Sequence, residues 1–145
     1  VSYSLDANLL LYASDSSSPR HEAASLFIEG RATDRDLLCL SWLTIMAFVQ
    51  IATHPSIFPR PLTPGNAWKN VDKLLGLSRT RLIGELDNFA SDYEAATAEV
   101  MVRGNLVPDA HLATILRQHG VSRIYTADSD FRKFSFLEVV NPLIP

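Results

Sequence analysis

Short apolar runs that read as strands alternate along this chain with longer stretches whose apolar residues recur every three or four positions. This alternation constrains the fold most, because repeated strand–helix–strand units are the sequence form of a parallel sheet covered on both faces. Val1–Leu5 alternates Val, Ser, Tyr, Ser, Leu and reads as a first strand ending at Asp6. Leu9–Tyr12 is a short apolar turn or helix, and Ser14–Ser18 a polar loop. Ser18-Pro19 offers a hydroxyl cap and a first-turn proline for a helix with Ala24, Phe27 and Ile28 on one face, ended by Gly30. Leu37–Ser41 reads as a strand buried on both sides, and Trp42–Thr53, apolar nearly all round, as a buried helix. Pro55, Pro59, Pro61 and Pro64 mark an irregular connection, and Thr63-Pro64 starts a helix carrying Ala67, Val71, Leu74 and Leu75. Arg81–Gly84 is a short strand. The spacing of Phe89, Tyr93, Ala96 and Val100 predicts a helix over Asn88–Arg103. Pro108 opens the next helix, with Leu112, Ile115 and Leu116 on its apolar face and Gly120 at its end. Ser122–Thr126 and Glu138–Asn141 are the last strands. The expected fold is a three-layer α/β/α arrangement around a central parallel sheet of four to five strands. Without a repeat, low-complexity tract or linker, residues 1–145 read as one domain.

Composition narrows the function classes. With 145 residues, 47% of them apolar, the chain can bury one core without staples. No apolar run approaches the ~20 residues of a membrane span, and Val1–Asp6 lacks the basic-then-apolar layout of a signal peptide. The only cysteine, Cys39, cannot form an internal disulfide and reads as a buried small hydrophobe, which fits a reducing, cytoplasmic setting. A net charge of −3 argues against a broad basic surface for nucleic acid. Phosphate contacts would fall to a few placed cations among Arg79, Arg81, Arg103, Arg117, Arg123, Arg132 and Lys133, most of which also read as solvated surface.

The chemistry collects at strand ends, where open parallel sheets bind ligands. Asp6 closes the first strand, Asp128 and Asp130 follow Arg123–Thr126, and Asp109 sits at the start of the helix opened by Pro108. Taken singly, each is an ordinary loop or helix-capping acid. Aimed at one place they are not: like charges ~4 Å apart repel by about 1 kcal/mol in water and about 4 kcal/mol at an effective dielectric of 20. A cation would hold them together. Hard oxygen ligands without a Cys or His cluster select Mg²⁺ or Mn²⁺ over zinc. His21, His54, His111 and His119 are scattered and read as surface or loop residues. No phosphate-binding Gly-rich loop and no nucleophile elbow is present.

These residues carry a family resemblance over essentially the whole chain. Asp6-Ala7-Asn8-Leu9-Leu10-Leu11-Tyr12 resembles the opening of PIN-domain proteins. Pro108-Asp109-Ala110-His111-Leu112-Ala113 resembles their third motif, and Thr126-Ala127-Asp128-Ser129-Asp130-Phe131 their fourth. Trp42 to Phe58, with His54-Pro55 and Phe58-Pro59, is similar to a mycobacterial subgroup of the VapC toxins of toxin–antitoxin pairs. There is one departure. The family's Glu on the helix after the second strand corresponds here to Ala47, and Leu37–Gln50 contains no acid.

The resemblance implies Mg²⁺-dependent hydrolysis of phosphodiester bonds in structured RNA such as tRNA or rRNA, with Mn²⁺ able to substitute. Asp6, Asp109 and Asp128 would hold the ion, Asp130 would stand nearby, and Asn8 and Thr126 would orient carboxylates or water. Turn and strand-end hydrogen bonding explains Asn8 and Thr126 equally well. The resemblance also implies a homodimer and a small VapB-type antitoxin laid across the acids, with no membrane partner. Ala47 motivates an alternative, a weakened or inactive PIN module that binds RNA or protein without cutting. A response-regulator receiver and a dehalogenase-like phosphatase fit worse: the only late lysine, Lys133, lies past the acid pair, and the first strand ends in Asp6-Ala7-Asn8, not Asp-x-Asp. A related 5′-nuclease would need DNA-clamping elements for which the chain is short.

Overall fold

The computed structural model describes residues 1–144. Its strands are β1 (Ser2–Leu5), β2 (Leu37–Ser41), β3 (Thr80–Ile83), β4 (Arg123–Tyr125) and β5 (Glu138–Val140). They form one sheet in the order β3-β2-β1-β4-β5, and every pairing is parallel. The helices are α1 (Ala7–Ser14), α2 (His21–Glu29), α3 (Trp42–Ala52), α4 (Pro64–Leu75), α5 (Phe89–Ala96) and α6 (Leu106–Gln118). Short 3-10 turns occupy Gly30–Ala32 and Asp130–Lys133.

Two apolar clusters show why the sheet is covered on both faces. Tyr3, Leu5, Leu38 and Leu40 bury against Leu9, Ile45, Phe48, Val71 and Leu74 from α1, α3 and α4, with Phe27 and Ile28 of α2 packed on. Cys39, Ile83 and Ile124 bury against Ala110, Ala113, Leu116, Phe131 and Phe134, with Phe89 and Tyr93 of α5 packed on. Side chains alternate between the faces of a strand, so Leu38 and Leu40 point one way and Cys39 the other. Cys39 is buried and desolvation pushes its thiol pKa up, which makes it a packing residue and not a nucleophile.

Local chemistry sets several boundaries. Ser41 caps α3 by accepting from the Thr44 N–H at 3.2 Å, and Thr63 caps α4 through the Asn66 N–H at 3.1 Å, with Pro64 in the first turn. Gly120, at φ +69°, lies just beyond the end of α6 in the left-handed region that favours glycine.

Four expectations are corrected. Ser18-Pro19 does not open a helix directly. The Ser18 hydroxyl accepts from the Arg20 N–H at 3.1 Å, which closes a turn, and α2 starts at His21. Pro108 does not open its helix, because α6 starts two residues earlier at Leu106, whereas Gly30 does end α2 and leads into the 3-10 turn to Ala32. The helix expected over Asn88–Arg103 ends at Ala96, where the Thr97 hydroxyl donates back to the Tyr93 carbonyl at 2.8 Å. Finally, α3 is not buried all round: Trp42 and Met46 are each 47% exposed. No helix among the described residues is long and apolar enough to cross a membrane.

Candidate active site at the carboxyl edge of the sheet

The crevice between β1 and β4 is where the sheet reverses its winding. From β1 the chain passes over one face to β2. It reaches β4, on the other side of β1, by crossing the opposite face through α5 and α6. Such switch points are where open parallel sheets bind ligands. Leu5 of β1 pairs with Tyr125 of β4, so the next residues, Asp6 and Thr126, leave the sheet side by side. The Asp6 N–H donates to the Tyr125 carbonyl at 2.9 Å and extends the ladder by one step.

Asp6 has extended backbone at the start of α1, yet its carboxylate does not cap that helix. Instead Oδ2 accepts from Thr126 Oγ1 at 2.8 Å. Thr126, fully buried, is the hub of the site. Its hydroxyl oxygen also accepts from Asn8 Nδ2 at 3.2 Å and from the Asp128 N–H at 3.0 Å. Asn8 returns to the β4 turn by accepting from the Ala127 N–H at 3.4 Å. Asp128 Oδ1 accepts from the Asp130 N–H at 3.1 Å, which folds the turn and starts the 3-10 helix.

Asp109 arrives from the other face, in the first turn of α6. Burial first, and then the charges of Asp6, Asp130 and Asp128, push its pKa up to about 6, while Lys133 opposes the rise. Asp6 is also raised, mainly by burial, with the Thr126 bond lowering it and the Asp128 charge raising it. The sequence-predicted acids Asp6, Asp109, Asp128 and Asp130 are therefore brought within electrostatic reach of one another, with Asn8 and Thr126 bonded among them. Asp128 faces solvent, whereas Asp6, Asp109 and Asp130 are half-buried.

Among the described residues, no three His, Cys, Asp or Glu side chains close into a preformed metal cage. Ala47 packs in the second turn of α3 against the core cluster that Ala127 also touches, and supplies no ligand. The donor set is all oxygen, and mutual repulsion lifts a proton affinity within it. Both features fit a hard divalent cation that keeps much of its water.

Other expected residues have structural work. His21 bonds the Tyr12 carbonyl, His54 accepts from the Ser56 N–H, and His119 bonds the Gly84 carbonyl at 2.7 Å. Arg123 pairs with Glu138, and Arg117 lies over the Phe136 ring. Phe131 and Phe134 are buried core anchors. A contact without a sequence signal lies two residues along α6 from Asp109: His111 Nε2 meets Glu85 Oε1 at 2.6 Å, which holds the Glu85 pKa down, and the His111 ring rests edge-on against Phe89.

Comparison with known proteins supplies the family. A family model described as PIN domain matches residues 3–137. Ribonuclease VapC48 of Mycobacterium tuberculosis is 33% identical over 98% of this chain and 98% of its own length. Ribonuclease VapC37 of the same organism is 34% identical over 90% of each chain. Among solved structures, VapBC2 from Rickettsia felis bound to a promoter DNA fragment superposes with a TM-score of 0.68 at 16% identity, covering 97% of this chain and 98% of the other. VapC20 of M. tuberculosis, a Sarcin-Ricin loop cleaving toxin, superposes with a TM-score of 0.67 at 14% identity, covering 94% and 98%. The sequence matches and the shared fold agree: this chain belongs to the PIN-domain family, among the VapC proteins.

Proposed function

We propose that this protein is a divalent-metal-dependent endoribonuclease of the VapC type, restrained by a cognate VapB-type antitoxin. The observation that supports this most is the convergence on Asp109 of charge from Asp6, Asp128 and Asp130 across the β1–β4 switch point. A fold with no metal to bind would gain nothing from that repulsion.

Asp6, Asp109 and Asp128 are the residues that would hold the ion, directly or through water, with Asp130 beside them. Mg²⁺ is the natural choice and Mn²⁺ its substitute. When bound, such an ion lowers the pKa of a water and offsets charge on the scissile phosphate. Thr126 fixes the Asp6 carboxylate and the backbone of the Asp128 turn through one buried hydroxyl. Asn8 fixes that hydroxyl and the Ala127 backbone. Asp130, held by its N–H on Asp128, keeps the fourth carboxylate at the edge of the cluster. Structured RNA is the expected substrate, because loops and unstacked bases offer the exposed backbone such an edge can reach.

Two partners belong to this reading. A groove of about 480 Å³ between α1, α2, α3 and α4, lined among others by Leu10, Ile28, Phe48, Val71 and Leu74, is the apolar surface we assign to the antitoxin. A homodimer would cover the exposed apolar side of α3. The second reading, a PIN module that binds without cutting, is favoured by Ala47 in place of the family Glu and by the lack of a closed carboxylate cage among the described residues.

Incubating total RNA with the purified, antitoxin-free protein in Mg²⁺, Mn²⁺ or EDTA, beside Asp6→Asn, separates the two. Discrete metal-dependent fragments that the variant does not produce are expected, and mapping their ends gives the target. A folded protein that neither cleaves RNA nor binds Mn²⁺ would leave only the binding module.

A further inference from the structure

Lys133 follows the acids Asp128 and Asp130 on the turn beyond β4. It is the last residue of the 3-10 helix Asp130–Lys133. In that geometry residues three apart eclipse one another, so Lys133 stands over Asp130. Phe131 and Phe134 are each 1% exposed and turn into the core, which leaves Arg132 and Lys133 on the solvent side. The 3-10 helix also packs against α6, which carries Asp109. Among the described residues Lys133 joins none of the ion pairs, although Asp130 is its eclipsed neighbour. An ammonium left unpaired next to converging carboxylates is available to an anion from outside.

The other candidate cations differ. Arg132, beside Lys133 on the 3-10 helix, is also exposed and among the described residues joins no ion pair, but it lies two residues from Asp130 and so projects to a different side. Arg123 is paired with Glu138 and Arg117 is stacked on Phe136. Arg79 and Arg81 belong to the start of β3, away from the strand ends that carry Asp6 and Thr126. With a net charge of −3 and an acidic site, an RNA strand meets repulsion that a metal alone must offset, and a fixed lysine at the rim lowers it. Resting on the ribonuclease reading, we infer that Lys133 is a substrate-positioning residue that binds a backbone phosphate of the RNA next to the one being cut. As a phosphate contact it carries affinity and register, not base identity.

The test is the salt dependence of binding to a fluorescently labelled RNA hairpin in EDTA, where cleavage is off, for wild type, Lys133→Gln, Lys133→Arg and Arg123→Gln. One lost phosphate contact lowers the slope of log Kd against log salt by about 0.7–0.9. Lys133→Gln should show that drop with a several-fold weaker Kd at low salt, Lys133→Arg should restore it, and Arg123→Gln, which removes the same charge elsewhere, should keep the wild-type slope. In Mg²⁺ the same Lys133→Gln change should raise KM more than it lowers kcat. An unchanged slope with Lys133→Gln overturns the inference even if the enzyme cleaves RNA, and would reduce Lys133 to offsetting the carboxylates. A slope that falls in a protein without metal-dependent cleavage keeps the phosphate contact and rejects the nuclease. No RNA binding by wild type overturns both.

Discussion

The Thr126 hydroxyl donates to Asp6 Oδ2 at 2.8 Å across residues 120 positions apart in sequence, and so ties together the residues that follow β1 and β4 at the switch point. Thr126→Val keeps the shape and removes the hydroxyl. Asp6 then loses a donor, while Asn8 Nδ2 and the Asp128 N–H lose their acceptor. Leaving buried polar groups unmatched costs about 1–3 kcal/mol. Thermal melts should show Thr126→Val clearly destabilised and Thr126→Ser close to wild type. Mn²⁺ affinity should weaken with Val and not with Ser. A Val variant as stable and as tight for Mn²⁺ as wild type would remove Thr126 from the site.

Asp109 gives a pH dependence with a definite sign. Its folded-state pKa is about 6, above the value near 3.9 of an unfolded chain. The folded protein therefore holds this proton more tightly, and the charged form is a cost that develops as pH rises from about 4 to about 6 and persists above. Two units correspond to roughly 3 kcal/mol, which solvent screening of a half-buried carboxyl reduces to about 1–2 kcal/mol. Asp109→Asn should melt above wild type in EDTA at about pH 7.5, and the gap should close as pH falls towards about 4. Adding Mn²⁺ should raise the wild-type Tm more than the variant's. At sub-saturating Mn²⁺, cleavage by the wild type should decline as pH falls, and raising the metal concentration should move that decline to lower pH, because cation and proton compete for the same carboxylate. A Tm gap independent of pH would reject the burial and repulsion assigned to Asp109.

Much of the site was legible because its acids lie at predictable places. A parallel strand buried on both faces is a continuous apolar run, so Leu37–Ser41 announces itself, while Arg123–Tyr125 is marked by its β-prone Ile124 and Tyr125 between Gly120 and the polar turn at Asp128; the polar residues just beyond such strands are the ones at the ligand-binding edge. That Thr126 orients a carboxylate was implied by the resemblance, but which carboxylate was not legible, since its bond to Asp6 depends on the register of β1 against β4. The end of α5 was hidden for another reason. Val100 continues the spacing of Phe89, Tyr93 and Ala96 and still packs on the same core cluster, although the backbone has already turned at Thr97. An apolar pattern records what is buried and not how the chain arrives there. The same distinction explains α3, whose apolar composition predicted burial that this chain alone does not supply.

The outward side of α3 therefore invites a partner. Trp42 and Met46 lie one turn apart, and Trp42 contacts Trp68 of α4 at 6.4 Å between ring centroids. An apolar surface this contiguous marks an interface more often than a solvated face. With this face as the homodimer seam, Met46→Glu should shift the protein from dimer to monomer in light scattering at micromolar concentration, with an unchanged circular dichroism spectrum. A variant that stays dimeric would place the seam elsewhere.

Arg31 ties the first helical pair to the sheet, and its loss should be among the more damaging single changes outside the acidic site. Its side chain is only 11% exposed. Nε donates to the Phe27 carbonyl at 2.9 Å, and Nη1 to Asp34 Oδ2 at 2.9 Å and to the Tyr3 hydroxyl at 3.2 Å. The guanidinium plane lies 4.0 Å from the centre of the Phe27 ring, which in turn contacts Tyr125, and Tyr125 meets Tyr3 edge-on at 5.3 Å. One flat cation thus joins α2, the start of β1 and the end of β4. Lysine offers a point charge without the fork or the plane, so it cannot keep the bonds and the stacking together. Arg31→Ala strands the Asp34 carboxylate and the buried Tyr3 hydroxyl, and should cost about 2–3 kcal/mol, a fall in Tm of roughly 5–12 °C for a chain of this size. Arg31→Lys should recover less than half of that loss. Equal stability of the Lys variant and wild type would show that charge alone, and not the stacked fork, holds this corner of the fold.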